Sequence, residues 1–248
     1  MIFANTIRGW ARVEGPTLML LTGDPLYGEV RETGERLELE KTPLLAPVSP
    51  RKIIAIARNY RAHAAELGNA VPEEPLFFYK PTTSLTPPDG SVPLPRHVGR
   101  VEHEGELAVV IKTKAKAVRE EDAKGHIFGY TCANDVTARE LQKKLGHFSQ
   151  AKGYDGFCPV GPWIATDIDT SDLRVTLSKN GVIAQDGRTS QMVHSIERLV
   201  SYLSHQVTLE PGDLILTGTP QGVGPLVHGD RVEVSIENVG TLRHSVTE

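Results

Sequence analysis

Short apolar runs rich in β-branched residues, separated by glycine, proline, asparagine and aspartate, recur along the chain, a pattern that predicts strands more often than helices. Strands are expected over residues 10–13, 17–21, 37–39, 53–57, 76–79, 107–111, 127–132, 160–165, 175–178, 182–185, 214–217 and 232–236. Asn180-Gly181 separates two of these runs. Both residues tolerate the positive φ that a type I′ turn requires, which makes this the strongest hairpin signal in the sequence. Helical spacing is rarer. It occurs over 136–145 and over 192–203, where Met192, Ile196, Leu199, Val200 and Leu203 share a face. A short helix is expected within 59–67, with Asn59 as its cap and Gly68 as its stop. The outcome is an α+β chain, predominantly β, with few short helices.

The earliest strands lie among Gly15, Gly23, Gly28 and Gly34, which reads as a small N-terminal β domain over residues 1–48. Pro43, Pro47 and Pro50 then stiffen a connector that cannot sit inside a sheet, so the boundary falls near Ser49 and the main domain takes 49–248. Against 31 Asp and Glu there are 27 Lys and Arg, a formal charge of −4 that removes the electrostatic reason to expect a nucleic-acid or anionic-membrane partner. No apolar stretch approaches the roughly 20 residues of a spanning helix, and residues 1–12 lack a signal-peptide core, so a cytoplasmic protein is expected. Cys132 and Cys158 are too few for a disulfide scaffold and are expected buried and reduced.

The acidic run Glu102-His103-Glu104-Gly105-Glu106 leads straight into the apolar stretch 107–111. If the strand begins at about Glu104, a period of two turns Glu104 and Glu106 to one face and His103 and Gly105 to the other. Two carboxylates about 4 Å apart repel by on the order of 4 kcal/mol at an effective dielectric of about 20, so a protein that buries them together supplies a cation or a shared proton. Exposed, the same pair is an ordinary strand edge. Asp135 opens the expected helix, with Arg139 and Gln142 further along the same face. It is either a helix cap or a third oxygen ligand, and a Glu, Glu, Asp set would select a hard cation such as Mg²⁺ or Mn²⁺. His63 and Glu66, three apart, are either a surface helix pair or a general base with its orienting carboxylate. Lys152, in a glycine- and aromatic-rich turn, is a surface lysine or, buried beside a metal, a group that stabilises an enolate. The stretch from Thr217 to Gly224 is a strand turn or a cradle for a small anion, and it lacks the GK[ST] of a nucleotide loop.

In order, His-x-x-Glu at 63–66, Glu-x-Glu-Leu-Ala-Val-Val-Ile at 104–111, Asn-Asp-Val-Thr-Ala-Arg-x-x-Gln at 134–142, Lys-Gly-Tyr-Asp-Gly-Phe-Cys-Pro-Val-Gly-Pro-Trp at 152–163 and Thr-Gly-Thr-Pro-x-Gly-Val-Gly at 217–224 resemble the fumarylacetoacetate hydrolase family. The resemblance runs from about Ile53 to Val246, and the first part of the chain is similar to the small N-terminal domain of bacterial members. It implies a mixed β-roll core, a homodimer, and Mg²⁺ or Mn²⁺ held by Glu104, Glu106 and Asp135. It also implies that His63 and Glu66 activate water, that Lys152 is the active-site lysine, and that Arg139, Gln142, Gly218 and Thr219 hold the 2-oxo acid end of a small substrate. The implied reaction passes through a pyruvate enolate. Hydrolysis of an acylpyruvate such as fumarylpyruvate or acetylpyruvate is the leading expectation, with 2-hydroxyhepta-2,4-diene-1,7-dioate isomerisation or oxaloacetate tautomerisation and decarboxylation as alternatives. A non-catalytic, metal-stabilised binding module is the alternative from another class. The pattern departs from the family at Arg58, where many relatives have leucine before Asn-Tyr, and at Lys112, which replaces a frequent glycine.

Overall fold

The computed structural model describes residues 1–248. Every residue of the strands Ile53–Ala57 and Gly105–Ile111 is buried, so both strands need cover on both faces. Alternation divides their side chains between two cores. Ile54, Ile56, Leu107, Val109 and Ile111 enter the larger, while Ile53, Ala55, Ala57, Ala108 and Val110 enter the second. Leu214–Leu216 lies between the two strands, antiparallel to Gly105–Ile111 and parallel to Ile53–Ala57. The sheet continues through Leu76–Lys80 on one side and through Ile127–Asn134 and Cys158–Ala165 on the other.

A five-stranded sheet, Val182–Arg188, Arg174–Lys179, Arg231–Ile236, Gly240–Thr247 and Ser91–Pro93, fills the larger core from the opposite side through Val175, Leu177, Val232, Val234, Leu242 and Val246. The helix Ile196–Gln206 adds Leu199, Val200 and Leu203 to it. The protein is therefore α+β and mostly sheet, as expected. At the N-terminus, Ile2–Thr6, Gly9–Glu14, Thr17–Leu21 and Glu32–Glu38 form an antiparallel meander that joins the main sheet where Phe3 pairs with Ile164. Ala4, Ala11, Leu18 and Leu20 form its own small core, with Trp163 packed against it.

Asn180 and Gly181 take φ of 53° and 81°, and the hairpin forms as its turn chemistry requires. Other expectations need correction. The helix expected from 136 begins at Arg139, because Thr137–Ala138 are drawn into strand pairing with Val101–His103. The later helix begins at Ile196 instead of 192, where the Ser195 hydroxyl accepts the Arg198 amide at 3.1 Å. Asn59 does not cap the helix Arg61–Glu66, whose cap position is Tyr60. Its side-chain amide donates instead to the carbonyls of Thr217 (2.8 Å) and His194 (3.1 Å), tying the end of one strand to the loop before a distant helix. Cys132 and Cys158 are free and buried. No helix is long and apolar enough to cross a membrane.

Candidate active site

Glu104 immediately precedes the strand Gly105–Ile111 and Glu106 is its second residue, so the pleat sends both toward the side that Ala108 and Val110 share with the second core. His103 and Gly105 turn the other way, as the period of two required. Gln185 meets them there: its Oε1 accepts the Gly105 amide at 2.9 Å and lies 3.2 Å from His103 Nδ1. Gln185 Nε2 donates to the Thr219 hydroxyl at 2.7 Å, which in turn donates to the Gly105 carbonyl at 2.9 Å.

Asp135 arrives by antiparallel register. Gly105 pairs with Asn134, so the next residue of that chain falls opposite Glu104. The Asp135 amide donates to the Glu104 carbonyl at 2.8 Å, and Asn134 Oδ1 accepts the Glu104 amide at 2.8 Å. The result is three carboxylates whose ligating oxygens all lie within 4.8 Å of one another, all buried.

Cations partly neutralise them. Lys152 Nζ bridges Glu104 Oε2 (2.6 Å) and Asp135 Oδ2 (2.8 Å). Lys80 Nζ donates to Asp135 Oδ1 at 2.6 Å and to the Lys152 carbonyl. Arg139 uses all three nitrogens, Nε to Glu102 (2.7 Å), Nη1 to Gln142 Oε1 (2.5 Å) and Nη2 to Glu104. Burial alone would raise the Glu104 carboxyl, but Lys152 and Arg139 outweigh it and hold it below the ordinary carboxylate range. Glu106 is the exception. It accepts the Gly218 amide at 2.7 Å and pairs with no cation, and burial beside Asp135 and Glu104 pushes its carboxyl well above the ordinary range. A buried carboxylate left unpaired beside two others calls for added positive charge, and an all-oxygen set suits Mg²⁺ or Mn²⁺ better than zinc. The donor set therefore fits the implied metal.

His63, Glu104, Glu106, Gln142, Lys152 and Thr219 line one cavity of about 280 Å³. The imidazole Nδ1 of His63 lies 3.2 Å from Glu66 Oε2, and Glu66 Oε1 accepts the Gly222 amide at 3.0 Å. A carboxylate only accepts, so Nδ1 donates and Nε2 keeps the lone pair of a base. The loop after Leu216 departs from its anion-cradle expectation. Its Gly218 and Gly222 amides serve the protein's own Glu106 and Glu66, leaving the Thr219 side chain as the loop's contribution to the cavity wall. Gly218 has φ +99° and a Cβ there would stand 2.8 Å from Asn59 Cβ, so only glycine fits.

Asp135 does not share a helical face with Arg139 and Gln142, because the helix starts later, yet all three converge through Glu104. Lys152 sits at the end of a short helix, Phe148–Lys152, instead of in a turn. Two members of the cluster were not anticipated. Lys80 ends an apolar strand, where a lysine reads as a boundary residue, and Glu102 lies in the acidic run with the same parity as Glu104 and Glu106.

The chain is similar to known proteins along nearly its whole length. A family model described as fumarylacetoacetate (FAA) hydrolase C-terminal matches residues 52–247, and a second, Rv2993c-like N-terminal, matches 5–47. The chain is 39% identical to a 2,4-didehydro-3-deoxy-L-rhamnonate hydrolase from a Sphingomonas species, covering 98% of this chain and 85% of that one. It is 41% identical to a mitochondrial oxaloacetate decarboxylase of Dictyostelium discoideum, covering 77% of this chain and 91% of that protein. A crystal structure of a 2-hydroxyhepta-2,4-diene-1,7-dioate isomerase from Mycobacterium marinum superposes with a TM-score of 0.91 at 40% identity, covering 100% of this chain and 98% of the other.

Proposed function

The chain belongs to the fumarylacetoacetate hydrolase family, and we propose that it is a divalent-metal-dependent enzyme that hydrolyses the carbon–carbon bond of an acylpyruvate. One observation carries this reading: Glu104 and Glu106, clustered with Asp135, open into the same cavity as Lys152 and a histidine already oriented by a carboxylate.

Glu104, Glu106 and Asp135 would hold Mg²⁺ or Mn²⁺, which supplies a Lewis acid for the oxygens of a pyruvoyl head when bound. His63 takes a proton from water at Nε2 while Glu66 fixes the ring. The resulting hydroxide adds to the distal acyl carbonyl. The bond to the pyruvate methylene breaks, its electron pair stays on the pyruvoyl fragment, and the proton held by His63 returns to that carbon. Lys152, kept protonated by Asp135 and Glu104 despite its burial, faces the developing negative charge as a fixed cation. Gln142, with its Nε2 uncommitted, holds the substrate's carboxylate end and Arg139 fixes Gln142 and Glu104, while the Thr219 hydroxyl, already donating to the Gly105 carbonyl, only shapes the wall.

The isomerase and decarboxylase relatives favour a second reading, in which the same enolate forms without attack by water. A panel of acetylpyruvate, fumarylpyruvate and oxaloacetate, assayed with Mg²⁺ or Mn²⁺ and with chelator, separates the two. His63→Ala is expected to lower acylpyruvate cleavage about 100-fold or more while oxaloacetate enolisation survives. Cleavage retained in that variant removes the dyad from the mechanism. Absence of metal-dependent turnover on every 2-oxo acid removes the proposal.

A further inference from the structure

Arg139, Lys80 and Lys152, the buried cations of the site, are all paired with carboxylates. Two further cations on the cavity wall, Arg58 and Lys143, make no ion pair or side-chain hydrogen bond. Arg58 is held in place all the same. It follows the strand Ile53–Ala57 with φ of 59°, a left-handed conformation that a non-glycine residue adopts at a cost, and its guanidinium carbon sits 5.9 Å from the centroid of Phe148. Phe148 stacks on Phe78 with centroids 5.2 Å apart, and Lys152 Nζ lies 5.4 Å from the Phe78 ring. A line of contacts therefore runs from the carboxylate cluster at Lys152, through Phe78 behind the cavity and Phe148 on its wall, to Arg58. The guanidinium is oriented by a ring face and half-buried, with its hydrogen-bond donors uncommitted.

Resting on the reading of this cavity as a 2-oxo acid site, we propose that Arg58 binds a second carboxylate at the far end of the substrate and so makes the chain select dicarboxylic over monocarboxylic 2-oxo acids. A guanidinium with free donors matches a carboxylate in charge and fork geometry, and Lys143, lining the same cavity, adds positive potential. Leu67 and Asn69, also lining the cavity, are neutral.

The test is calorimetric binding, with Mg²⁺ present, of two unreactive acids of equal carbon number, 2-oxoglutarate and 2-oxopentanoate, to the wild type and to Arg58→Gln and Arg58→Lys. The wild type is expected to prefer the dicarboxylate roughly tenfold to a hundredfold, the range of a charge-assisted hydrogen bond. Arg58→Gln should bring the ratio close to one, and Arg58→Lys should restore part of it. With fumarylpyruvate as substrate, KM in Arg58→Gln should rise more than kcat falls. A wild type that binds both acids without preference, or a ratio that Arg58→Gln leaves intact, overturns the assignment of Arg58 alone. A wild type that binds neither acid overturns the 2-oxo acid reading, and this proposal with it.

Discussion

Arg174 and Asp186 pair at 2.7 Å across a hairpin with their side chains 52% and 49% exposed, whereas Lys152 and Asp135 pair at 2.8 Å with no more than 4% of either exposed. The geometry is nearly the same and the energetics are not. Water and salt screen the surface pair, and holding two long side chains together offsets much of what remains. In the buried set each charge has lost its hydration, so each depends on its neighbours, and removing one leaves another stranded. The buried set is also unbalanced at one point. Glu104 and Asp135 meet Lys80, Lys152 and Arg139, and Glu102 meets Arg139 and the half-exposed Arg100, but Glu106 meets no cation. On the proposed function, this unpaired carboxylate is where a divalent ion would sit.

The largest expected effect comes from removing that imbalance. Glu106→Gln should abolish divalent-cation binding by calorimetry and lower turnover at least about 100-fold, more than loss of an outer-shell partner does. Stability should move in the opposite direction. Because the native Glu106 carboxyl is raised, the metal-free wild type binds that proton more tightly than its unfolded chain does, so the stabilisation is present at low pH and is lost as pH rises through the raised value. Urea midpoints in chelator should therefore favour Glu106→Gln increasingly from pH 5 to pH 8. Equal midpoints throughout would mean that Glu106 is compensated in a way the cluster does not reveal.

Lys80→Met should come next, destabilising by about 3–5 kcal/mol in urea, because it removes the cation on Asp135 Oδ1 and leaves the Lys152 carbonyl without its donor. A loss under about 1 kcal/mol would place Lys80 with the surface pairs.

Why Lys80 had to be seen in three dimensions also explains what was legible in the chain. Local rules sufficed for Asn180-Gly181 and for Glu104 and Glu106, since a turn type and a pleat depend only on adjacent residues. Family resemblance singled out Glu104, Glu106 and Asp135 and the His63–Glu66 pair, and the register of Gly105 with Asn134 explains how Asp135 meets the two glutamates. Lys80 pairs with a residue 55 positions away, and no periodicity encodes that distance. Thr137–Ala138 fit a helical pattern but were recruited by Val101–His103, a tertiary contact overriding local preference. Gly240–Thr247 alternates Leu242 and Val246 with arginine, histidine, serine and threonine, and His244, buried at an inward position, masked the apolar face that marks a strand.

His244 sharpens the comparison from the neutral side. Its Nε2 accepts from Asn134, whose Oδ1 holds the Glu104 backbone, and burial pushes its pKa down to about 4 against a weaker opposing pull from the Ser245 carbonyl. A native histidine with a depressed pKa binds fewer protons than the unfolded chain, so its neutrality is stabilising above about pH 6.5 and becomes a liability as pH falls toward 4. The wild type should lose up to about 3 kcal/mol over that range relative to His244→Gln, which keeps an acceptor for Asn134 and cannot protonate. Parallel stability curves for the two proteins from pH 7 to pH 4.5 would show that His244 is not held neutral.

The smallest effect belongs to the pair that opened the comparison. Arg174→Ala removes two hydrogen bonds to Asp186, 2.9 and 2.7 Å long, a bidentate contact that on geometry alone rivals anything in the cavity. Both partners nevertheless regain full hydration when separated, and at about 0.15 M salt the screening length of about 8 Å leaves little attraction to lose. The urea midpoint of Arg174→Ala should coincide with that of the wild type, and raising the salt to 1 M should not separate them. Should Arg174→Ala instead destabilise on the scale of Lys80→Met, burial would not be the variable that divides the two regions, and the case for treating the uncompensated Glu106 as a metal site would lose its physical basis.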